Sequence, residues 1–171
     1  MLFRSWAVLH RPDAGGIENI WSAFSPDLLH WGEPHCVLPE RSGAAWDSVK
    51  VGAGPPPILT EHGWLLLYHG VATRHGGGNF YQMGAALLDP ENPARLLART
   101  RENLLEPREP YELVGQVANV VFPSGMIVEH FDDEGFATTE SLVRVYYGAA
   151  DTVVGLATTT IARLIESCTT A

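Results

Sequence analysis

Lys50 is the only lysine in 171 residues. It lies in Trp46-Asp47-Ser48-Val49-Lys50-Val51-Gly52-Ala53-Gly54-Pro55-Pro56-Pro57, where the glycines and prolines read as a rigid turn. Further on, Gly63-Trp64-Leu65-Leu66-Leu67-Tyr68-His69-Gly70 reads as an apolar strand that delivers a histidine, nineteen positions after Lys50, beside a glycine. An ammonium and an imidazole brought together in this way make half of an anion-binding site. Arg11, in His10-Arg11-Pro12, adds a guanidinium, the natural bidentate ligand for phosphate or carboxylate, with a proline fixing the backbone next to it. Asp151 closes Tyr147-Gly148-Ala149-Ala150-Asp151, where small residues leave room for a ligand and a carboxylate could accept sugar hydroxyls. Tyr81, Trp21, Trp46, Trp64, Tyr68, Tyr146 and Tyr147 could offer faces on which a sugar ring stacks.

Each residue also has a plainer reading. A loop lysine can be a solvated charge, Arg11 the cap of a surface turn, and Asp151 a turn former. A histidine at a strand end is satisfied by one hydrogen bond. His62, His69 and His75 match no standard metal spacing and have no cysteine near them. No metal is expected. Cys36 and Cys168 are 132 positions apart and suggest neither a disulfide framework nor a zinc knuckle, so both read as packing residues.

The elements that must position these groups read mostly as strands. Residues 2–9 and 17–24 are rich in aromatic and β-branched types and divided by Asp13-Ala14-Gly15-Gly16, a hairpin signal. His35-Cys36-Val37-Leu38 gives another strand after the turn at Ser25-Pro26-Asp27. A second unit follows the same plan: 57–60, a turn at Glu61-His62-Gly63, 64–69 back, then 80–88 stopped by Asp89-Pro90. Residues 91–100 read as a helical turn followed by an edge strand. A third unit runs through 120–128, 142–148 and 152–157, and 160–167 carries apolar residues at helical spacing as the one good helix candidate.

The units resemble one another. Leu65-Leu66-Leu67-Tyr68-His69-Gly70 aligns with Val143-Arg144-Val145-Tyr146-Tyr147-Gly148 at an offset of 78 positions, and Ser22-Ala23 with Asp27 aligns with Gly84-Ala85 and Asp89 at an offset of 62. Repeats of several short strands indicate β-propeller blades. The expected fold is all-β, an incomplete propeller of about three blades with a short C-terminal helix, forming a single domain over residues 1–171. Closed propellers have about four to eight blades. An open wedge leaves strand edges and apolar faces uncovered, so a partner or further chain is expected to cover them.

Composition narrows the function classes. Twenty acidic against eleven basic residues give a net charge of −9; without a Lys/Arg cluster, nucleic acid is excluded as a partner. No apolar run reaches the roughly 18 residues of a membrane helix and the N-terminus lacks a signal-peptide layout, so a membrane is not expected and the cytoplasm is the default compartment. An acidic protein that binds an anion must gather its few cations at one place.

Taken in order, seven stretches resemble the β-mannoside phosphorylases and hydrolases of glycoside hydrolase family 130. They are Leu9-His10-Arg11-Pro12, Ser25-Pro26-Asp27-Leu28-Leu29-His30-Trp31-Gly32, Trp46 to Pro56, Gly63 to Val71, Gly84-Ala85-Ala86-Leu87-Leu88-Asp89, Pro110-Tyr111-Glu112 with Gly115, and Tyr146-Tyr147-Gly148-Ala149-Ala150-Asp151. The resemblance implies a five-bladed propeller whose pocket binds a β-mannoside oligosaccharide, with inorganic phosphate as co-substrate and no cofactor. Phosphate attacks the anomeric carbon while an acid protonates the leaving oxygen, giving α-mannose 1-phosphate with inversion. Arg11, Lys50 and His69 match phosphate ligands, Tyr81 a residue beside phosphate and sugar, and Asp151 a residue that contacts the mannose.

Retention of the three phosphate ligands favours phosphorolysis over hydrolysis, which would use a carboxylate to activate water. Family members are longer, with the general-acid aspartate in their N-terminal half. The acid is therefore expected upstream of Met1, and no residue of this chain is assigned a catalytic role. The chain is expected to be a C-terminal portion, truncated or one half of a split enzyme, inactive alone and completed by a missing half or a homo-oligomer. The competing expectations are a non-catalytic sugar- or phosphate-binding module and another propeller glycosidase.

Overall fold

A computed structural model describes residues 6–13, 15–74 and 77–169. Among these residues, eleven strands and two short helices follow one another: β1 (Trp6–His10), β2 (Ile20–Ser25), β3 (Gly32–Leu38), β4 (Lys50–Ala53), β5 (Ile58–Thr60), β6 (Gly63–Thr73), β7 (Asn79–Leu88), β8 (Leu96–Arg99), α1 (Pro110–Leu113), β9 (Val121–Val128), β10 (Leu142–Ala149), β11 (Val153–Thr160) and α2 (Ile161–Thr169). The chain is all-β apart from these helices, and its strands form three antiparallel sheets. The first has the order β1-β2-β3, the second β4-β6-β7-β8 with β5 also on β6, and the third β11-β10-β9. These sheets correspond to the three units read from the sequence. Met1 and the part of the first expected strand before Trp6 lie outside the described residues.

The central strand explains how the sheets pack. β6 is apolar at consecutive positions because both of its faces are covered. Leu65 and Leu67 enter a cluster with Val121, Val143 and Val145 of the third sheet. Leu66 and Tyr68 enter a second cluster with Ile20, Val37 and Leu38 of the first. A one-residue slip of β6 would exchange the two sets, so the packing pins its register. α2 buries Ile161, Leu164, Ile165 and Cys168, the i, i+3, i+4, i+7 stripe of an amphipathic helix. Of the two cysteines, only Cys168 is a packing residue; Cys36 is exposed.

The internal repeat extends to its hydrogen bonds. Asp27 Oδ1 accepts the backbone N–H of Leu29 at 2.9 Å and of His30 at 2.8 Å. Asp89 Oδ1 accepts those of Glu91 at 2.9 Å and Asn92 at 3.0 Å. Both aspartates follow a strand and close the same side-chain-to-backbone turn. Bonds from His30 and Leu29 hold the Asp27 carboxyl down at about 2.

Lys50 does not sit in the expected turn. Residues 50–53 form β4, paired with β6 through Lys50↔Val71, Val51↔Gly70, Gly52↔His69 and Ala53↔Tyr68. Gly52 of β4 and Gly70 of β6 fit because they let side chains approach, His69 at the first and Trp46 with Asp47 at the second, a requirement that local composition does not reveal. The stretch 91–100 resolves into one hydrogen-bonded turn, in which Arg95 N–H donates to the Asn92 carbonyl at 2.8 Å, followed by the edge strand β8. A further element, α1, has no counterpart among the expected ones; it is one turn whose N-terminus is closed by a capping box between Glu109 and Glu112.

Candidate functional site

The site is assembled where the first and second sheets meet, and a tryptophan wedge holds the approach. Trp46 stacks on Tyr68 with ring centroids 5.4 Å apart and donates its Nε1–H to the Arg101 carbonyl at 3.1 Å. It lies against Gly70 and Gly84, where any Cβ would run into its ring. Asp47 beside it is fully buried and accepts from Arg41 Nε at 2.6 Å and from the Tyr68 hydroxyl at 3.0 Å, with Arg99 Nη1 at 3.7 Å. A buried carboxylate persists only when paired this thoroughly. The anchored loop runs straight into β4 and so fixes where Lys50 emerges.

Arg11, Lys50 and His69, separated in sequence, come together here. Gly52 and His69 are direct cross-strand partners. The imidazole takes the room a side chain at 52 would need, and a Cβ there would stand 2.7 Å from His69 Nε2 and 3.0 Å from Arg11 Nη1. Arg11 Nη1 lies 3.1 Å from His69 Nε2. A guanidinium can only donate, so Nε2 accepts and the ring proton sits on Nδ1, a buried atom with no hydrogen-bond partner among the described residues. Burial, then the Arg11 and Lys50 charges, lower the His69 pKa from 6.5 to about 3. His69 is thus neutral, and the positive charge of the site comes from Arg11 and Lys50 alone.

Glu18, which nothing in the sequence singled out, completes the group. Its Oε2 lies 3.2 Å from Arg11 Nε and 3.8 Å from Lys50 Nζ. Its carbonyl accepts the N–H of Val51 at 3.0 Å, which ties the segment before β2 to β4 at the residue after Lys50. No local signal marks Glu18, because its partners arrive from two other segments.

Aromatic rings wall the cluster. Tyr81 has its ring 5.4 Å from Lys50 Nζ, within cation–π range, and 5.9 Å from the His69 ring. Phe122 of β9 lies 4.3 Å from His69, centroid to centroid, and was likewise not singled out. Among the described residues, no hydrogen bond, ion pair or ring contact joins Asp151 to the other four. It occupies the tip of the β10–β11 hairpin with φ 50°, after Ala150 with φ 47°, a pair of left-handed residues as in a type I′ turn. The turn is clamped from outside: Val117 N–H donates to the Ala150 carbonyl at 3.2 Å and Gln116 N–H to Thr152 Oγ1 at 3.0 Å. Glu112, buried, receives the Tyr147 hydroxyl at 2.8 Å and so ties α1 to β10 behind this turn. Among the described residues, no three His, Cys, Asp or Glu side chains are grouped to hold a metal ion, and His75 lies outside those residues. Met1, upstream of which the general acid is expected, also lies outside them, so the structure does not place that group.

Fold and site together define an all-β protein of repeated antiparallel sheets carrying a paired-cation site beside a neutral histidine. The family model described as beta-1,4-mannooligosaccharide phosphorylase matches residues 4–170, and the chain belongs to that family, glycoside hydrolase family 130. It is 40% identical over 154 residues to a 1,2-beta-oligomannan phosphorylase of a Thermoanaerobacter species, covering 89% of this chain and 45% of the relative. It is 39% identical over 165 residues to a beta-1,4-mannooligosaccharide phosphorylase of Ruminococcus albus, covering 94% of this chain and 46% of the relative. The solved structure of a beta-1,2-mannobiose phosphorylase from Listeria innocua, in complex with beta-1,2-mannobiose, superposes with a TM-score of 0.81 at 39% identity, over 98% of this chain and 44% of that one. The chain spans about half the length of the relatives it matches. No helix among the described residues is long and apolar enough to cross a membrane.

Proposed function

We propose that this chain provides the phosphate-holding half of a β-mannoside phosphorylase, its three sheets serving as blades of a larger propeller. The observation that carries this reading is the convergence of Lys50, the sole lysine, with Arg11 on one spot beside His69. Two fixed cations partly sheltered from water suit a phosphate that must be held and aimed. His69, as an acceptor, orients the Arg11 guanidinium toward the anion.

In the reaction proposed, a phosphate oxygen attacks the anomeric carbon of a β-linked mannoside from the face opposite the leaving sugar. The carbon–oxygen bond to that sugar breaks, and its oxygen takes a proton from a carboxylic acid supplied from outside this chain, upstream of Met1 in a longer protein or from a separate half. The product is α-mannose 1-phosphate. Tyr81 flanks phosphate and sugar, while Asp151, on a turn whose backbone strain is held by its neighbours, contacts the mannose. The relatives named for 1,2 and for 1,4 linkages match this chain about equally well, so linkage belongs to surfaces outside it.

The test is release of mannose 1-phosphate from β-mannobiose in the presence of phosphate. Loss of a general acid commonly costs about 10²–10⁴ in rate. The 171-residue chain alone should therefore show no turnover, and co-expression with the complementary half of the Listeria relative should restore it. Turnover by the chain alone would place the acid within these residues; mannose release from the reconstituted pair without phosphate would make it a hydrolase.

A further inference from the structure

Glu18 is an unexpected residue for a site that attracts anions. Its carboxylate bridges Arg11 and Lys50 through a single oxygen, and the backbone bond from Val51 holds it in place. Its side chain is one-third exposed, so an entering ion can reach it. Formal charges give two cations and one anion in the cluster. An incoming oxyanion that uses both cations must lie against this carboxylate, which can accept hydrogen bonds and cannot donate them. Two acceptors facing each other repel, and specificity is often built from such a repulsive element.

We propose that Glu18 makes the site selective for an oxyanion that carries a proton, a reading that rests on the phosphate site described above. Phosphate near neutral pH keeps a P–OH group, which can donate to the Glu18 carboxylate while its other oxygens face Arg11 and Lys50. Sulfate has the same shape and charge but no proton to give, so it meets Glu18 acceptor to acceptor. The residue that lowers the net charge of the pocket thereby discriminates between two tetrahedral dianions that cations alone would treat alike. It also orients the bound phosphate, directing the P–OH toward Glu18 and leaving an unprotonated oxygen free to attack.

The experiment is isothermal titration of the chain with inorganic phosphate, arsenate and sulfate, for the wild type, Glu18→Gln and Glu18→Ala, with thermal melts to confirm folding. The wild type should bind phosphate and arsenate more tightly than sulfate by about tenfold or more, the worth of one hydrogen bond to a charged group. Either variant should bring that ratio close to one, chiefly by strengthening sulfate. A carboxylate acting only as a counter-ion would shift all three anions together and leave the ratio unchanged, which would overturn the proposal, as would equal binding of phosphate and sulfate by the wild type. Binding of none of the anions by the folded wild type would overturn the phosphate site as well.

Discussion

His69 is the residue whose charge state the fold decides. Its pKa of about 3, against an ordinary 6.5, means that below pH 6.5 the unfolded chain takes up a proton the folded chain refuses. The associated stability is fully present above 6.5 and is lost as the pH falls through 6.5 toward 3. At pH 5 the loss reaches about 2 kcal/mol. Urea unfolding at pH 7.5 and pH 5 should show this drop in the wild type and a smaller one in His69→Gln, which cannot titrate. Equal drops would mean that His69 accepts a proton without unfolding. Arg11, Lys50 and His69 were legible in the sequence because a scarce cation beside glycine and proline, or a histidine ending an apolar run, stands out locally. Glu18 and Phe122 were not, since one is a common hairpin carboxylate and the other an ordinary strand residue, and their roles exist only once separate sheets meet. The neutrality of His69 was also hidden, because it depends on burial and on two neighbouring charges.

Among the elements, β4 is the one that turns a sequence stretch into a site. Its composition reads as a turn, and pairing with β6 makes it a strand that sets Lys50 and His69 two positions apart in register. Alternating or continuous apolar runs made most other strands readable, and the stripe in α2 made the helix readable. β4 has four residues, too short for a period, and its glycine answers to a neighbour across the sheet. Gly52→Ala tests this. The added Cβ falls within the His69 ring, and such overpacking costs about 1–3 kcal/mol while displacing Arg11. Phosphate affinity should fall by about tenfold or more, as expected for disturbing one charged contact. Gly148→Ala is the control, because a Cβ there comes no closer than 4.0 Å to Phe122. Unchanged phosphate binding in Gly52→Ala, or an equal loss in both variants, would contradict the packing argument.

For the whole molecule, the two outer edges matter as much as the core. β1 and β11 end the first and third sheets, and they expose Trp6 and Val8 on one side and Val153, Val154 and Leu156 on the other. Apolar side chains on unpaired edge strands invite further sheet, in keeping with a chain that matches under half the length of its relatives. The three repeating units were legible in the sequence because the turn aspartates and the strand ends recur. The hairpins of β1 with β2 and of β5 with β6 were legible from their turns, whereas the pairing of β4 with β6 skips the strand between them and was not. The proposed phosphate site requires a chain of net charge −9 to concentrate enough positive charge at one point. Titration of the chain with inorganic phosphate, followed by calorimetry in the wild type, Arg11→Ala and Lys50→Ala, measures it directly. One saturable site in the wild type, weakened by about 10- to 100-fold in each variant, is the result this account predicts. Absence of binding in the folded wild type, or binding indifferent to both substitutions, would contradict it.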